Sequence, residues 1–461
     1  MSFEIQRGTF SRRLPQFVAA GSAALGALAL GTVAGWTSTS LPDMKLEPEF
    51  IHVSNESFSW VGSIAPIGAC VSGPLSGFLL GVIGRKGTML LISPLFVLGW
   101  LLIGFATSID MVYAGRFLTG VGGGTFSLVV PCYVSECSES CIRGTLGSAL
   151  QLMINFGVLI AFTVGYFVNW STLAFVSSSI PVIVCGLMLL MPESPRYLLM
   201  KKNKVAASKA LQWLRGATSH EEVMEELNLV QAAIEDDNGV TFRDYLSPCI
   251  LKPVTISLAL MLYQQWNGNN AVIFYTVQIF QAAGSSLNPN IATIIVGAIQ
   301  VIASIVAAAL MDKAGRRILL LVSGVSMTIA LAVMGGFFQM KEDLMDIDDL
   351  GWLPLLCLVV FIVGFSLGFG PIAWLLAGEI LPSKVRGIAS ALATSFNWFN
   401  AFVVTKAFDN IQLSIGIQWC FWIFAIITVF ANAYVYVCVP ETRGKTLEEI
   451  QMLFVPRKTY S

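Results

Sequence analysis

Long apolar runs separated by short polar segments dominate the chain. Twelve such runs lie near residues 17–41, 58–83, 88–109, 111–135, 144–170, 172–191, 253–280, 291–311, 318–340, 351–378, 387–408 and 411–439. A helix needs about 20 apolar residues to cross the hydrocarbon core of a bilayer. The pattern predicts an all-α membrane protein with twelve transmembrane helices. One long polar interval, 192–252, divides the runs into six and six. Within it Ser194-Pro195 reads as a cap followed by proline in the first turn, and Ser219-x-x-Glu222 as a capping box. Tyr197, Leu198, Val205, Leu211 and Leu214, interspersed with lysines, predict amphipathic helices there. The first run follows Arg7, Arg12 and Arg13 and is too long for the core of a signal peptide, so it is expected to be retained.

One run carries an anomaly. Gln264-Gln265-Trp266-Asn267-Gly268-Asn269-Asn270 places five amides inside the seventh predicted span. At about 100° per residue, Gln264, Gln265, Asn267 and Asn270 point at about 0°, 100°, 300° and 240°. A straight helix cannot turn all of them to one cavity, so a break is predicted at Gly268. Asn267 or Asn269 would then satisfy the opened backbone. In the tenth span Pro371, with Gly364, Gly368 and Gly370, predicts a second weak point.

Charge sets orientation. Charged residues make up 12% of the chain, about half their share in soluble domains. With the N-terminus inside, Lys45 and Lys341 alone among the 27 basic residues fall in outer loops, and Arg116 and Lys406 lie within spans. Basic residues favour the cytoplasmic side, so both termini are expected there, with the plasma membrane as the expected location. None of the nine cysteines falls in an outer loop, and the only histidines are His52 and His220. Cys137 and Cys141 lack further ligands. No metal, cofactor, nucleic-acid partner or enzymatic cluster is expected. Asn55-Glu56-Ser57 is a glycosylation sequon in the first outer loop, whereas Asn169-Trp170-Ser171 is pressed between two spans.

The charges also repeat. Glu136-x6-Arg143-Gly144 after the fourth run recurs as Glu379-x6-Arg386-Gly387 after the tenth, and Gly84-Arg85-Lys86 after the second as Gly315-Arg316-Arg317 after the eighth. Pro192-Glu193-Ser194-Pro195-Arg196 after the sixth recurs as Pro440-Glu441-Thr442-Arg443 after the twelfth. Six spans per repeat make the halves parallel, around a central path. The expected organisation is an N-terminal half over 1–191, a cytoplasmic helical loop over 192–252, a C-terminal half over 253–440 and a tail over 441–461.

These boxes, with Gly115-Arg116-x3-Gly120, Pro131-x-Tyr133-x-x-Glu136, Gln264-Gln265-x-x-Gly268-x-Asn270 and Gly370-Pro371-x-x-Trp374, resemble the signatures of the sugar porter family of the major facilitator superfamily. The resemblance runs from about Phe17 to Val455. Gly364 to Gly370, Phe396 to Phe399 and Val404-Thr405-Lys406 look closest to the arthropod facilitated trehalose transporters and the animal hexose facilitators. It implies the major facilitator fold and facilitated transport of a sugar, such as glucose or trehalose, by alternating access. A proton-coupled symporter and a non-transporting sugar sensor are the alternatives.

A sugar is neutral and polyhydroxylated, so its site needs amides that donate and accept, plus an aromatic ring. The resemblance places Gln151, Gln264, Gln265, Asn270, Trp374 and Asn397 at sugar-contacting positions, with Gln300 where the family usually has Asn. Asn400 matches no such position. The alternative is that buried amides bond helices together, at about 0.6 to 2 kcal/mol each. For Arg85, Glu136, Arg143, Arg316, Glu379 and Arg386 the expectation is a cross-half ion network that gates the path, against simple anchoring at headgroups. The first span holds no acid, and Val33 stands where proton-coupled relatives carry one. Arg116 is thus an intramembrane cation, either a structural anchor or part of transport. Gly81, Asn269, Ala373 and Ser366 also depart from the family pattern.

Overall fold

Polar caps and left-handed residues cut the apolar runs into helices. A computed structural model describes residues 10–139, 142–236, 247–284, 288–345, 348–381, 385–443, 445 and 447–454. The first six runs form α1 (Phe10–Met44), α2 (Asn55–Val82), α3 (Gly84–Gly104), α4 (Ile109–Cys137), α5 (Arg143–Phe167) and α6 (Trp170–Leu190). Three short helices follow: α7 (Pro195–Met200), α8 (Lys204–Arg215) and α9 (Glu221–Asp236). The seventh run is α10 (Pro248–Trp266) and α11 (Asn269–Ala283), and the eighth and ninth are α12 (Pro289–Ala314) and α13 (Arg316–Glu342). The tenth is α14 (Leu353–Leu367) and α15 (Phe369–Ile380); α16 (Arg386–Ile415), α17 (Ile417–Cys438) and the short α18 (Leu447–Met452) complete the chain.

Eleven helical stretches among the described residues are long and apolar enough to cross a membrane. The seventh run is missing from them because α11 has only 15 residues and α10 carries Lys252, Gln264 and Gln265 among its 19, and this run completes the twelve. Side chains of Ser54, Ser108 and Asn169 accept backbone N–H groups at the starts of α2, α4 and α6. The predicted boundary between the last two spans was misplaced. Asp409 and Asn410 looked like a loop, yet α16 continues to Ile415 and the turn falls at Gly416, whose φ of 100° suits glycine.

The first helix of the 192–252 interval starts at the expected cap. Ser194 caps α7 with Pro195 in the first turn. Before α9 the Glu222 carboxylate accepts from Thr218 Oγ1 at 2.8 Å. Leu199, Ala207, Leu211, Val223 and Leu227 build a small separate core. Arg215 ties this layer to the bundle, donating to the Cys137 carbonyl at the end of α4 at 2.9 Å and pairing with Glu226 at 2.6 Å. Arg12 of α1 reaches Glu222 at 3.2 Å.

Spans from the two sides of the repeat meet along three seams: α2 with α16, α5 with α12 and α1 with α11. Within the first six spans α1 and α5 cross at a glycine pair. A Cβ on Gly31 would run into the Ile154 carbonyl, and one on Gly157 into that of Leu28. This close crossing fixes the face of α5 that carries Gln151.

Candidate functional site

The site grows from two interruptions in helical backbone. At the first, Gly268 has φ of 88°, and a Cβ there would also strike the Phe424 ring. Asn267 bridges the gap, its Oδ1 accepting from the Asn269 N–H at 3.0 Å. At the second, Gly368 separates α14 from α15, and the Phe369 N–H donates to Ser323 Oγ at 3.3 Å. Phe369 and Gly370, the first residues of α15, face Gln264 with their carbonyls.

Gln264 takes both, its Nε2 donating to Phe369 O at 3.1 Å and Gly370 O at 2.8 Å. Its Oε1 then accepts from Asn397 Nδ2 at 2.8 Å, and Asn397 Oδ1 accepts from Gln265 Nε2 at 2.8 Å. Gln265 Oε1 accepts from Asn270 Nδ2 at 2.6 Å. Four of the predicted contacts thus form one directional chain across α10, α11 and α16. Trp374, half-buried on α15, packs with Met261 and Phe396 beside it. Asn400 stands apart, accepting from Trp266 Nε1 at 2.7 Å and donating to the Phe396 carbonyl, which joins α10 to α16.

Gln151 and Gln300 belong to a second group, on α5 and α12, organised by a residue that sequence reasoning missed. Asn155 accepts from Gln151 Nε2 and Gln300 Nε2, each at 3.1 Å, and donates to Ser304 Oγ at 2.5 Å. The available signal was spacing: Asn155 follows Gln151 by four residues, on the same helix face. Nearby, Gln151, Ser304, Met311, Ser366 and Pro371 line a crevice of about 10 Å³. That is room for about one water molecule. In this conformation the amides are closed on one another.

Arg116 is fully buried. It donates to the carbonyls of Val61 at 3.1 Å and Val33 at 2.9 Å and to Thr37 Oγ1 at 2.8 Å, and lies over the Trp36 ring at 5.2 Å. Carbonyls, a hydroxyl and a ring therefore surround its charge at the position of Val33. At the opposite end from the basic boxes, Val277 N–H, released by a kink at Tyr275, donates to Ser38 Oγ at 3.2 Å. Lys406 Nζ bonds Ser59 Oγ at 3.1 Å and sits 4.6 Å from the Trp60 ring centroid. Asn55 is exposed at the start of α2.

Of the charged boxes expected to form a cross-half network, four side chains are among the described residues and form two ion pairs. Arg85 pairs with Glu136 at 2.7 Å and Arg316 with Glu379 at 3.3 Å, so both pairs lie inside a half. The side chains of Arg143 and Arg386 lie outside the described residues. Position explains the arrangement: each arginine opens the helix next to its own glutamate. Two further carboxylates, unassigned from sequence, complete the pattern. Glu193 accepts backbone N–H groups of Arg85, Lys86 and Ser194. Glu441 accepts those of Arg316, Arg317, Thr442 and Arg443 at 3.0 to 3.1 Å. Burial alone would raise the Glu441 pKa, but these four donors outweigh it and hold the carboxyl below its ordinary value.

A family model described as "Sugar (and other) transporter" matches residues 21–454. The facilitated trehalose transporter Tret1 of Anopheles gambiae is 44% identical over 447 residues, covering 96% of this chain and 56% of that protein. The facilitated trehalose transporter Tret1-2 homolog of Drosophila simulans is 43% identical over 447 residues, covering 96% and 91%. The chain thus spans about half the length of the first relative and nine-tenths of the second. Among solved structures, the proton:xylose symporter XylE of the major facilitator superfamily, bound to 6-bromo-6-deoxy-D-glucose, superposes with a TM-score of 0.82 at 23% identity, covering 95% of this chain and 99% of that one. The inward open conformation of the xylose transporter XylE from E. coli gives 0.78 at 24%, covering 95% and 99%. These likenesses show the major facilitator fold, and the family match over nearly the whole chain shows that this multi-pass membrane protein belongs to the sugar (and other) transporter family.

Proposed function

We propose that the protein is a facilitative sugar transporter for a hexose such as glucose or for trehalose, working by alternating access. The chain of Gln264, Asn397, Gln265 and Asn270 at the junction of two interrupted helices carries this reading. Amides that bond one another in the closed site exchange those bonds for sugar hydroxyls when it opens. Gln151 and Gln300 complete the site from the other wall, and Trp374 offers a ring to the apolar face of the sugar. The names of the curated relatives support trehalose. Facilitation rather than proton coupling is supported by the first span, where Arg116 is satisfied by carbonyls and Val33 stands in place of an acid.

In this reading both termini and the 192–252 layer are cytoplasmic, the membrane is the plasma membrane, and Asn55 is glycosylated on the outer face. The units are 1–191, 192–252, 253–440 and 441–461, and the two six-helix units rock against each other. Arg85, Glu136, Arg316 and Glu379 brace the inner ends of each unit, and Arg143 and Arg386 complete the gate between them. The partners are a sugar and the bilayer, without nucleic acid.

Uptake of labelled glucose and trehalose by purified protein in liposomes, with and without a pH gradient, tests the proposal. Saturable uptake of one of them, unchanged by the gradient and weakened by Gln265→Ala, is expected. Failure of every sugar to saturate, with Gln265→Ala leaving binding unaltered, would overturn it.

A further inference from the structure

The hydrogen-bond group on α5 and α12 has a direction that one fixed atom determines. Ser304 Oγ lies 2.8 Å from the backbone oxygen of Gln300, one turn earlier on α12. A carbonyl only accepts, so the single hydroxyl hydrogen of Ser304 is committed to it. Ser304 must therefore meet Asn155 as an acceptor, and the Asn155 atom facing it is the amide nitrogen. The other Asn155 atom, which faces both glutamines, is then the oxygen. Each glutamine must offer it nitrogen, and each glutamine oxygen is turned elsewhere. In keeping with this, Gln300 Oε1 is buried without a hydrogen-bond partner among the described residues. So is Ser366 Oγ, which lines the crevice with Gln151 and Ser304.

We propose that Asn155 is a positioning residue that fixes the polarity of this wall, making Gln151 and Gln300 meet the substrate as hydrogen-bond acceptors. The wall then recognises a sugar through its hydroxyl hydrogens and discriminates against analogues that offer only an acceptor. The opposite wall has the same polarity. Its chain is anchored on the carbonyls of Phe369 and Gly370, which compel Gln264 to offer nitrogen, and the last atom of that chain is the Asn270 oxygen. Asn155 is 2% exposed and spans the seam between α5 and α12, so it sets this polarity without being a surface of the pocket itself. The inference rests on reading the site as a sugar path.

The test is competition against labelled sugar uptake by the full chain in liposomes. The hydroxyl read by Gln300 is first identified as the one whose removal costs nothing further in Gln300→Ala. At that carbon a deoxy analogue, which offers nothing, is compared with a deoxyfluoro analogue, which accepts weakly and cannot donate. With wild-type protein the two are expected to compete equally. In Asn155→Leu the glutamine amides are free to turn, and the fluoro analogue is expected to gain about twofold over the deoxy one, the lower end of what a hydrogen bond contributes. A change confined to packing would weaken both analogues alike. Should Asn155→Leu fail to accumulate, Ser304→Ala removes the anchoring acceptor and is expected to move the same ratio. A fluoro analogue already favoured by wild type, or a ratio unmoved in a variant that still transports, would overturn the inference. Absence of saturable uptake by wild-type protein would instead overturn the sugar reading beneath it.

Discussion

The two halves repeat each other's charges but not the continuity of their helices. Arg85 with Glu136 and Glu193 has its counterpart in Arg316 with Glu379 and Glu441: the same ion pair and the same capped arginine N–H in each half. Yet α1 runs unbroken for 35 residues and α4 for 29, each with proline inside, while their counterparts, α10 with α11 and α14 with α15, are divided. Duplication therefore preserves the frame at the membrane edge, where helix starts need carboxylates. The asymmetry falls where polar groups are wanted at membrane depth. Just past the second break Gln264 bonds the carbonyls of the first two residues of α15, and this orients the amides behind it. The first six spans are expected to form the stiffer wall and the last six the wall that bends.

The largest expected effect comes from closing the first break. Gly268→Val places a branched side chain at φ of 88° and drives it into Phe424. Strain of about 1–3 kcal/mol and overpacking of similar size add together. The protein is expected to lose both thermal stability in detergent and uptake. Next comes the chain itself. Gln265→Ala strands Asn397 Oδ1 and Asn270 Nδ2, each worth about 1–3 kcal/mol when buried and unpaired. KM is expected to rise about tenfold or more, whereas Asn400→Ala, outside the chain, is expected to leave KM within about twofold.

Much of this comparison was legible in the sequence. Apolar length gave the spans, and the angular conflict among Gln264, Gln265, Asn267 and Asn270 gave the break at Gly268. The repeated boxes showed the frame, but not that its ion pairs close within each half. Charge spacing along the chain carries no information about which of several neighbouring arginines a glutamate meets. Asn155 was overlooked because it matched no family position, although its spacing from Gln151 was in view. Glu193 and Glu441 were seen as parts of strings; their function as caps depends on where α3 and α13 begin after a turn at Gly84 and Gly315.

At the end opposite the basic boxes the halves meet through Lys406, Ser59 and Trp60. Lys406→Met keeps the length of the side chain and removes the charge, at a cost of about 0.5–2 kcal/mol to that seam. Spin labels at the exposed positions Asn55 and Ser414, on α2 and α16, are expected to show a larger share of long distances in the variant. An unchanged distribution would mean that the remaining contacts of the α2–α16 and α1–α11 seams are enough to close this end. At the basic end Glu441 supplies a pH test. Its carboxyl pKa is lowered in the folded protein, so its stabilisation is complete above the ordinary carboxylate value and disappears as pH falls through the lower folded value. Melting of wild type and Glu441→Gln is expected to differ at neutral pH by the equivalent of about 0.3–1 kcal/mol and to converge only in strong acid.

The smallest effect has the opposite sign and probes the stiff side of the comparison. Gly21 lies inside α1, exposed, with nothing near the place a Cβ would occupy. Alanine there is expected to stabilise the helix by about 0.5–1 kcal/mol, because glycine loses more freedom on folding. If bending belongs to the second half alone, Gly21→Ala raises the melting temperature slightly and leaves the uptake rate intact. A loss of uptake from this one methyl group would mean that α1 also flexes during transport, and that its continuity in the closed state is one position of a hinge.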